Sequence, residues 1–247
     1  MMSRRTTIML YLTAALFIAP IIITAAGSFF ADGAPTFAGY EELFSKTEIP
    51  RHFLITFVYS VCSAVGSVTV ALPAAFLFAK GRFRFRGVLF FLYILVMMLP
   101  FQATMLPQYI ILRDFRLLNT PAAFVIYTVF SPVSVFLLRQ FITTLPDEII
   151  QSALLDTDSV FRVMWHIVLP MIKPAIVVTL IYSFFESWNM YEQALTFSAQ
   201  NRDILPLSAV MKSFSETAAP AASSLYLVPA LILIFFTDIA CPSHKVK

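Results

Sequence analysis

Six long runs of apolar residues, separated by short polar segments, constrain this chain more than any other feature of its sequence. A helix that crosses the hydrocarbon core of a bilayer needs about 20 mostly apolar residues, and lipid offers no hydrogen-bond partner to an unpaired backbone. The composition agrees, because 59% of the residues are hydrophobic and only 13% are charged. The sequence therefore predicts an all-α polytopic membrane protein with six transmembrane helices, at residues 8–30, 53–79, 88–112, 121–141, 174–191 and 218–240.

The lysines and arginines predict how these helices are oriented, since cations are retained preferentially on the cytoplasmic side of a membrane. If the amino terminus lies inside, eleven of the seventeen are cytoplasmic, and the loop from Lys80 to Arg86 contributes four of them. Both termini are then expected in the cytoplasm, with residues 31–52 as an extracytoplasmic loop. The alternative for the first run is a cleavable export signal, although the run is longer than the apolar core of such a signal.

Residues 145–173, between the fourth and fifth runs, form a segment that is too long for a simple turn. Pro146 and the acidic pair after it suit the amino end of a helix, where negative charge meets the positive end of the helix dipole. Residues 156–159 then break this helix and offer caps for a second one. We expect two short helices with apolar faces, made of Ile149, Ile150, Ala153 and Leu154 in the first and of Phe161, Met164, Trp165 and Val168 in the second. Packing beneath the bundle is the simplest explanation of the second face. The small residues Ser152 and Ala153 would let another protein approach the first face closely, so docking is expected there, with packing as the alternative.

Seven residues of this segment follow a spacing that is found in one family of membrane proteins. They are Gln151, Ser152, Ala153, Thr157, Ile167, Leu169 and Pro170. The spacing resembles the EAA coupling loop of ATP-binding-cassette (ABC) importer permeases, whose pattern is Glu-Ala-Ala, three residues, Gly, nine residues, Ile, one residue and Leu-Pro. Gln151, Ser152 and Thr157 replace the Glu, the first Ala and the Gly of that pattern.

Three further stretches, residues 98–109, 117–120 and 184–189, resemble the carbohydrate-importing branch of the same family. The likeness is to the second permease subunit of maltose-type systems, and it runs from about Ile8 to Phe236. Residues 237–247 depart from it as an atypical C-terminal tail. The resemblance implies one permease domain over residues 1–247, with the transmembrane fold of a type I ABC importer, in the inner membrane of a bacterial cell.

The resemblance also implies a function and a set of partners. The chain would form, with a second homologous permease, the membrane path for a sugar or oligosaccharide that an extracytoplasmic binding protein delivers. The seven residues of the coupling loop would dock on a cytoplasmic ABC ATPase dimer. Because the sequence contains no G-x-x-x-x-G-K-[ST] phosphate-binding loop, ATP hydrolysis is expected in a separate chain. The alternative is a self-contained secondary transporter or channel.

Other classes of function receive little support from the sequence. The cations cluster at the ends of the apolar runs, without interleaved aromatic residues, so no nucleic-acid partner is predicted. The three histidines and two cysteines show no spacing typical of metal ligands. We therefore predict no catalytic residue, no cofactor and no metal site.

Polar groups inside the apolar runs are costly in hydrocarbon, which makes them candidates for a solute pathway. Glu186 lies beside Trp188 and Asn189 in the fifth run, a combination of carboxylate, aromatic face and amide that suits a sugar. A position at the outer interface, with Trp188 in the aromatic belt, explains the same residues. Gln102 lies between two prolines of the third run, where it either faces the pathway or satisfies the backbone groups that the prolines free.

Overall fold

Helices make up nearly all of the computed structural model, which describes residues 4–31, 34–45, 48–157, 159–215 and 218–240. The helices are α1 (Arg4–Gly27), α2 (Ala38–Ser45), α3 (Glu48–Lys80), α4 (Arg86–Met97), α5 (Phe101–Asp114), α6 (Pro121–Val129), α7 (Pro132–Thr143), α8 (Asp147–Asp156), α9 (Val160–Val163), α10 (Leu169–Met171), α11 (Lys173–Trp188), α12 (Glu192–Phe197), α13 (Leu207–Val210) and α14 (Ala219–Ala240). A π-helical turn, Met164–Val168, joins α9 to α10, and 3-10 turns lie at Arg202–Ile204 and Met211–Ser213. Strands β1 (Phe30–Ala31) and β2 (Ala34–Pro35) form a short antiparallel pair. The predicted all-α class is confirmed.

The apolar helices follow the order of the six predicted runs. Three stretches of the described chain are individually long and apolar enough to cross a membrane, namely Thr6–Gly27, Glu48–Lys80 and Pro121–Thr143. Two more are bent pairs, Arg86–Met97 with Phe101–Asp114 and Val160–Met171 with Lys173–Trp188, and Ala219–Leu233 is a shorter apolar helix. Each predicted run therefore corresponds to one of these stretches.

The third run is broken more sharply than the proline kink that the sequence predicts. The axes of α4 and α5 differ in direction by 99°. Pro100, with φ −66° and ψ 150°, is extended and precedes the first residue of α5. Because proline has no N–H and disfavours helical geometry at the residue before it, the chain turns here rather than kinking gently. Gln102 consequently lies in the first turn of α5.

The boundaries of two other predicted segments also differ from the structure. The predicted extracytoplasmic loop at residues 31–52 contains α2, and α3 already begins at Glu48. Of the predicted tail at residues 237–247, residues 237–240 continue α14 and the rest lie outside the described residues.

The chain divides into two compact units, Met1–Arg51 with Val210–Ile234 and His52–Ala209 with Phe235–Lys247. Polar contacts within the first unit include Ser215, whose hydroxyl donates to the Glu42 carboxylate at 2.8 Å. The second unit contains both regions that we consider functional. The prediction of a single permease domain over residues 1–247 stays a prediction.

A closed ring of three serines connects α3, α7 and α11 inside the second unit. Ser67 Oγ donates to Ser134 Oγ at 2.7 Å, the oxygens of Ser134 and Ser183 lie 3.0 Å apart, and Ser183 Oγ donates to Ser67 Oγ at 3.1 Å. All three side chains are fully buried. Because each hydroxyl can donate one hydrogen bond and accept another, the ring satisfies all three groups without water.

The helices α3 and α6 approach each other closely at a glycine. A Cβ atom built on Gly66 would lie 2.6 Å from Cγ2 of Val129, which is closer than van der Waals contact allows. Beside this contact, Thr128 Oγ1 donates to Ser63 Oγ. Small residues at such crossings are typical of helices that pack in membranes, where close backbone approach replaces the hydrophobic driving force.

Candidate functional site

Residues 145–173 fold into two short helical pieces, as the sequence predicts. The first is α8, and the second runs from α9 through the π-helical turn to α10. Ser159 caps the second piece, since its Oγ accepts a hydrogen bond from the backbone N–H of Arg162 at 3.3 Å. Asp158, which was expected to share in this break, lies outside the described residues.

The backbone at Thr157 accommodates the replacement of the glycine in the family pattern. Thr157 has φ −155° and ψ 134°, which is extended geometry. A β-branched residue adopts this geometry without strain, and a glycine is needed only where φ is positive. The substitution therefore does not distort the turn between α8 and α9.

One face of α8 packs against its own bundle. Ile150 and Ala153 are buried, and Ala153 is only 7% exposed, within a cluster that also contains Leu72 of α3 and Leu138 of α7. Gln151 and Ser152 are exposed on the same helix. Ile150 and Ala153 therefore pack α8 on the bundle, whereas Ile149 and Leu154, the other two residues of the predicted first face, are exposed.

Of the exposed large apolar side chains in this segment, three are the most exposed, and the sequence analysis did not single out Leu155 and expected Phe161 and Trp165 to pack. Leu155 is 89% exposed, Phe161 72% and Trp165 59%. Met164 and Val168, in contrast, are buried, so the packing explanation holds for these two residues and is wrong for Phe161 and Trp165. Phe161 and Trp165 are four residues apart, as are Met164 and Val168, so helical spacing alone could not show which pair faces inward. We call Leu155, Phe161 and Trp165 the outer apolar surface.

A groove of about 310 Å³ lies between α8 and the helical piece that follows it. It is lined by Ala153, Asp156, Thr157, Arg162, Val163, His166 and Ile167. The fold thus brings together three of the seven residues of the predicted coupling loop. Leu169 is half-buried against the inner cluster, while Pro170 is exposed at the start of α10.

A lysine at the end of α3 anchors the start of α8. Lys80 Nζ donates to the backbone carbonyl of Leu145 at 2.6 Å and also to the Asp147 carboxylate. Nearby, Arg86 Nη1 donates to the carbonyl of Gly81 at 2.7 Å. The cationic loop therefore has a structural role besides orientation, because Lys80 connects the long helix α3 directly to the segment that carries α8.

The Lys80 anchor predicts a dependence of stability on pH. The hydrogen bond from Lys80 lowers the pKa of the Asp147 carboxyl below its ordinary value of 3.8. A lowered folded-state pKa means that the stabilisation is present above pH 3.8 and is lost as the pH falls through the lowered value. We expect Asp147→Asn to reduce the melting temperature in detergent at pH 7, and the difference from wild type to disappear at lower pH.

Two variants control this measurement. Lys80→Met should produce a larger loss, because it also removes the hydrogen bond to the Leu145 carbonyl, and only the part that comes from Asp147 should disappear at lower pH. Asp114→Asn, which breaks an exposed pair with the adjacent Arg113, should change little. A difference between Asp147→Asn and wild type that persisted unchanged below the lowered pKa would contradict this account.

The second candidate region is a cavity of about 510 Å³ inside the second unit. It lies between α4, α5, α6, α7 and α11, where the turn at Pro100 and the break between α6 and α7 open the packing. Ten of its sixteen lining residues are apolar. The other six are Thr104, Gln108, Tyr127, Ser131, Tyr182 and Glu186.

Glu186 reaches this cavity from α11, and a serine holds its carboxylate in place. Ser131 Oγ donates to Glu186 Oε2 at 3.1 Å. Ser131 directly precedes Pro132, the first residue of α7, where a proline is favourable because that position needs no N–H. The helix break therefore places a hydroxyl beside the carboxylate, and of the predicted pathway residues it is Glu186 that lines the cavity.

Gln108 is a cavity residue that the sequence analysis missed. Its Nε2 donates to Thr104 Oγ1 at 3.0 Å, while its Oε1 is buried and has no hydrogen-bond partner among the described residues. The i, i+4 spacing of the two residues on α5 was a signal for a shared polar face. The predicted Gln102 is instead exposed and donates to Glu192 Oε2 at 2.7 Å.

Trp188 and Asn189 lie at the end of α11 in structural positions. Trp188 is 1% exposed and stacks on Phe184, with ring centroids 5.7 Å apart, and it also contacts the edge of Phe53. Asn189 Nδ2 donates to the backbone carbonyl of Phe185 at 2.9 Å. In this conformation the indole is enclosed by the rings of its own chain, and the pathway roles of both residues stay predictions.

A bundle of apolar helices with a partly polar cavity, and a helical segment anchored beside it, defines a membrane transport subunit. Comparison with known proteins identifies the family. Residues 67–241 match the family described as "Binding-protein-dependent transport system inner membrane component", and the chain belongs to this family. It is a multi-pass inner-membrane permease subunit of an importer. This result supports the predicted importer subunit over the alternative of a self-contained secondary transporter or channel.

Similar proteins are found among curated sequences and among solved structures. The sn-glycerol-3-phosphate transport system permease protein UgpE of Yersinia pestis bv. Antiqua is 28% identical over 77% of this chain and 70% of its own length. The diacetylchitobiose uptake system permease protein DasC of Streptomyces coelicolor is 27% identical over 82% of this chain and 77% of its own length. A chain from a bacterial ABC transporter involved in the import of the acidic polysaccharide alginate matches with a TM-score of 0.82, at 19% identity, over 97% of this chain and 98% of that chain. This match confirms the predicted type I importer fold.

Proposed function

We propose that this chain forms, with a second homologous permease, the membrane path for a sugar or oligosaccharide that an extracytoplasmic binding protein delivers. The names of its relatives support a hydroxyl-rich solute, since they mention sn-glycerol-3-phosphate, diacetylchitobiose and alginate. These solutes differ in charge, so the relatives do not indicate whether the solute of this chain is acidic or neutral. Glu186 and Gln108 are the proposed contacts, while Gln102, Trp188 and Asn189 stay weaker candidates.

The energy for transport comes, in this proposal, from a cytoplasmic ABC ATPase dimer that docks on residues 145–173. The outer apolar surface is the observation that supports docking of the ATPase on this segment. Its three side chains are exposed on a segment whose other face is packed. In the proposed orientation this segment lies on the cytoplasmic side of the bilayer, where lipid does not cover it and exposed apolar groups mark a surface for another protein. Gln151, Ser152 and Pro170 are also exposed, whereas Ala153, Ile167 and Leu169 act by holding the segment against the bundle.

Coupling would then be mechanical. An ATPase that moves α8 also moves α3, because Lys80 connects the two, and it moves α11, because the helical piece that ends in α10 runs directly into α11. The bend of 86° between that piece and α11 gives the segment a direction different from that of the bundle. The orientation proposed with this mechanism places both termini and the Lys80 loop in the cytoplasm.

Purification of a tagged chain expressed with its neighbouring genes would test the proposed function. The expected result is that an ATPase and a second permease are purified with it, and that saccharide uptake into vesicles requires both ATP and a binding protein. Uptake that continued after ATP depletion, driven by a proton or sodium gradient, would contradict the proposal and favour a self-contained transporter.

A further inference from the structure

Acidic and basic side chains are unequally represented among the residues that line the 510 Å³ cavity. Its sixteen lining residues, all within the described part of the chain, include one carboxylate, that of Glu186, and no lysine, arginine or histidine. An anion that leaves water needs cations or several aligned donors to replace its hydration. The residues that line this cavity do not supply them.

The same cavity offers hydrogen-bond acceptors. Ser131 occupies Glu186 Oε2 with one hydrogen bond, and carboxylate oxygens can accept several. Gln108 Oε1 is buried and unpartnered among the described residues. A ligand donor reaches this oxygen when the Gln108 amide rotates toward the cavity, and the new hydrogen bond removes the cost of leaving the oxygen unpaired. Two acceptors on facing helices suit a molecule with several O–H or N–H donors.

Aromatic rings complete the site. Tyr127 of α6 and Tyr182 of α11 both line the cavity, and Tyr182 lies one turn before Glu186. The C–H faces of a saccharide ring pack on aromatic faces while its hydroxyls bond to the polar groups beside them. A volume of about 510 Å³ lies within the range of roughly 300–1,000 Å³ that is usual for small-molecule sites.

We infer that this cavity is a subsite for a neutral or amine-bearing saccharide unit that disfavours acidic saccharides, with Glu186 and Gln108 as its specificity-determining residues. The inference rests on the proposed function and adds the charge class of the solute. An ammonium group gains a charge-assisted hydrogen bond from the carboxylate, whereas a uronic acid brings a second negative charge next to it.

The test uses the complete importer, purified in lipid nanodiscs without its binding protein, and saturation-transfer NMR with glucose, glucosamine and glucuronate as probes. Wild type is expected to bind glucosamine at least as well as glucose, and glucuronate more weakly by about tenfold or more. Glu186→Gln should bring glucuronate to within about threefold of glucose and remove the advantage of glucosamine. Gln108→Leu should weaken all three sugars without changing their order.

Glu41→Gln is the matched control, because Glu41 is an exposed glutamate of α2 that is not among the cavity residues. It should leave all three affinities unchanged. The inference is overturned if glucuronate binds wild type as well as glucose, if Glu186→Gln leaves the roughly tenfold difference between glucose and glucuronate unchanged, or if wild type binds none of the three. A preference for glucuronate that Glu186→Gln abolishes would also overturn it, since the carboxyl would then be a protonated donor.

Uptake by the same importer in vesicles separates this inference from the proposed function. ATP-dependent and binding-protein-dependent uptake, together with an unchanged difference between glucose and glucuronate in Glu186→Gln, would reject the inference alone. Uptake that needs neither ATP nor a binding protein would reject the proposed function itself.

Discussion

Replacing Leu155 with aspartate is expected to abolish ATP-driven uptake and to remove the ATPase from the purified complex. Leu155 is the most exposed of the three side chains of the outer apolar surface, so a charge there does not disturb the packing of α8. In a docked complex the same charge would be buried without a partner. A central apolar contact in an interface contributes about 2 kcal/mol or more, which corresponds to a loss of affinity of about thirtyfold.

Leu155→Met is the control for this variant, because methionine keeps the apolar surface and should retain uptake. The equivalent substitution Ala153→Asp is less informative, since Ala153 is buried in its own bundle and a charge there would disturb the fold directly. Normal uptake and normal purification of the ATPase with Leu155→Asp would show that the docking surface lies elsewhere.

Replacing Gly66 with leucine is expected to prevent stable packing of the second unit. The added Cβ alone would lie 2.6 Å from Val129 Cγ2, and the rest of the leucine would extend into the same crossing of α3 and α6. Overpacking of this kind costs about 1–3 kcal/mol, and more where the backbone must move. The gain of about 0.8–1 kcal/mol from replacing a glycine inside a helix does not offset it. Size-exclusion profiles in detergent after heating measure the effect.

Gly87 provides the comparison for this substitution. A Cβ on Gly87 would have no atom within 4 Å, so Gly87→Leu should leave the melting temperature nearly unchanged. Adding Val129→Ala to the Gly66 variant should restore part of the lost stability, because it removes the side chain with which the new residue collides. If Gly66→Leu melted like wild type, the close approach of the two helices would not be needed for stability.

The number and order of the apolar helices could be predicted from the sequence, whereas their turns could not. The length of each apolar run predicts whether it spans the bilayer, because a run of about 20 apolar residues matches the thickness of the hydrocarbon core. A proline within such a segment either kinks a helix or ends it, depending on what packs around the break. The chain turns at Pro100, between α4 and α5, and Gln102 in the first turn of α5 is not among the residues that line the cavity.

Residues of the candidate site could be predicted from the sequence where their side chain is energetically costly to place in a membrane. Glu186 was selected because a carboxylate is costly in an apolar run, and it does line the cavity. Gln108 was missed because amides on α5 look alike in sequence, and only the fold shows which one faces inward. Leu155 was missed for a different reason, since an apolar residue in a membrane protein can face lipid, the bundle or a partner with the same hydropathy.

The serine ring has a consequence for how the second unit can move during transport. If α3, α7 or α11 slides relative to the other two, two of the three hydrogen bonds break together. Buried hydroxyl groups are then left without hydrogen-bond partners. Displacements of these three helices are therefore coupled, and α3, α7 and α11 are expected to move together if the proposed ATPase displaces the segment at residues 145–173. The flexibility that transport needs must then reside in the turns at its periphery, at Pro100 and before α11.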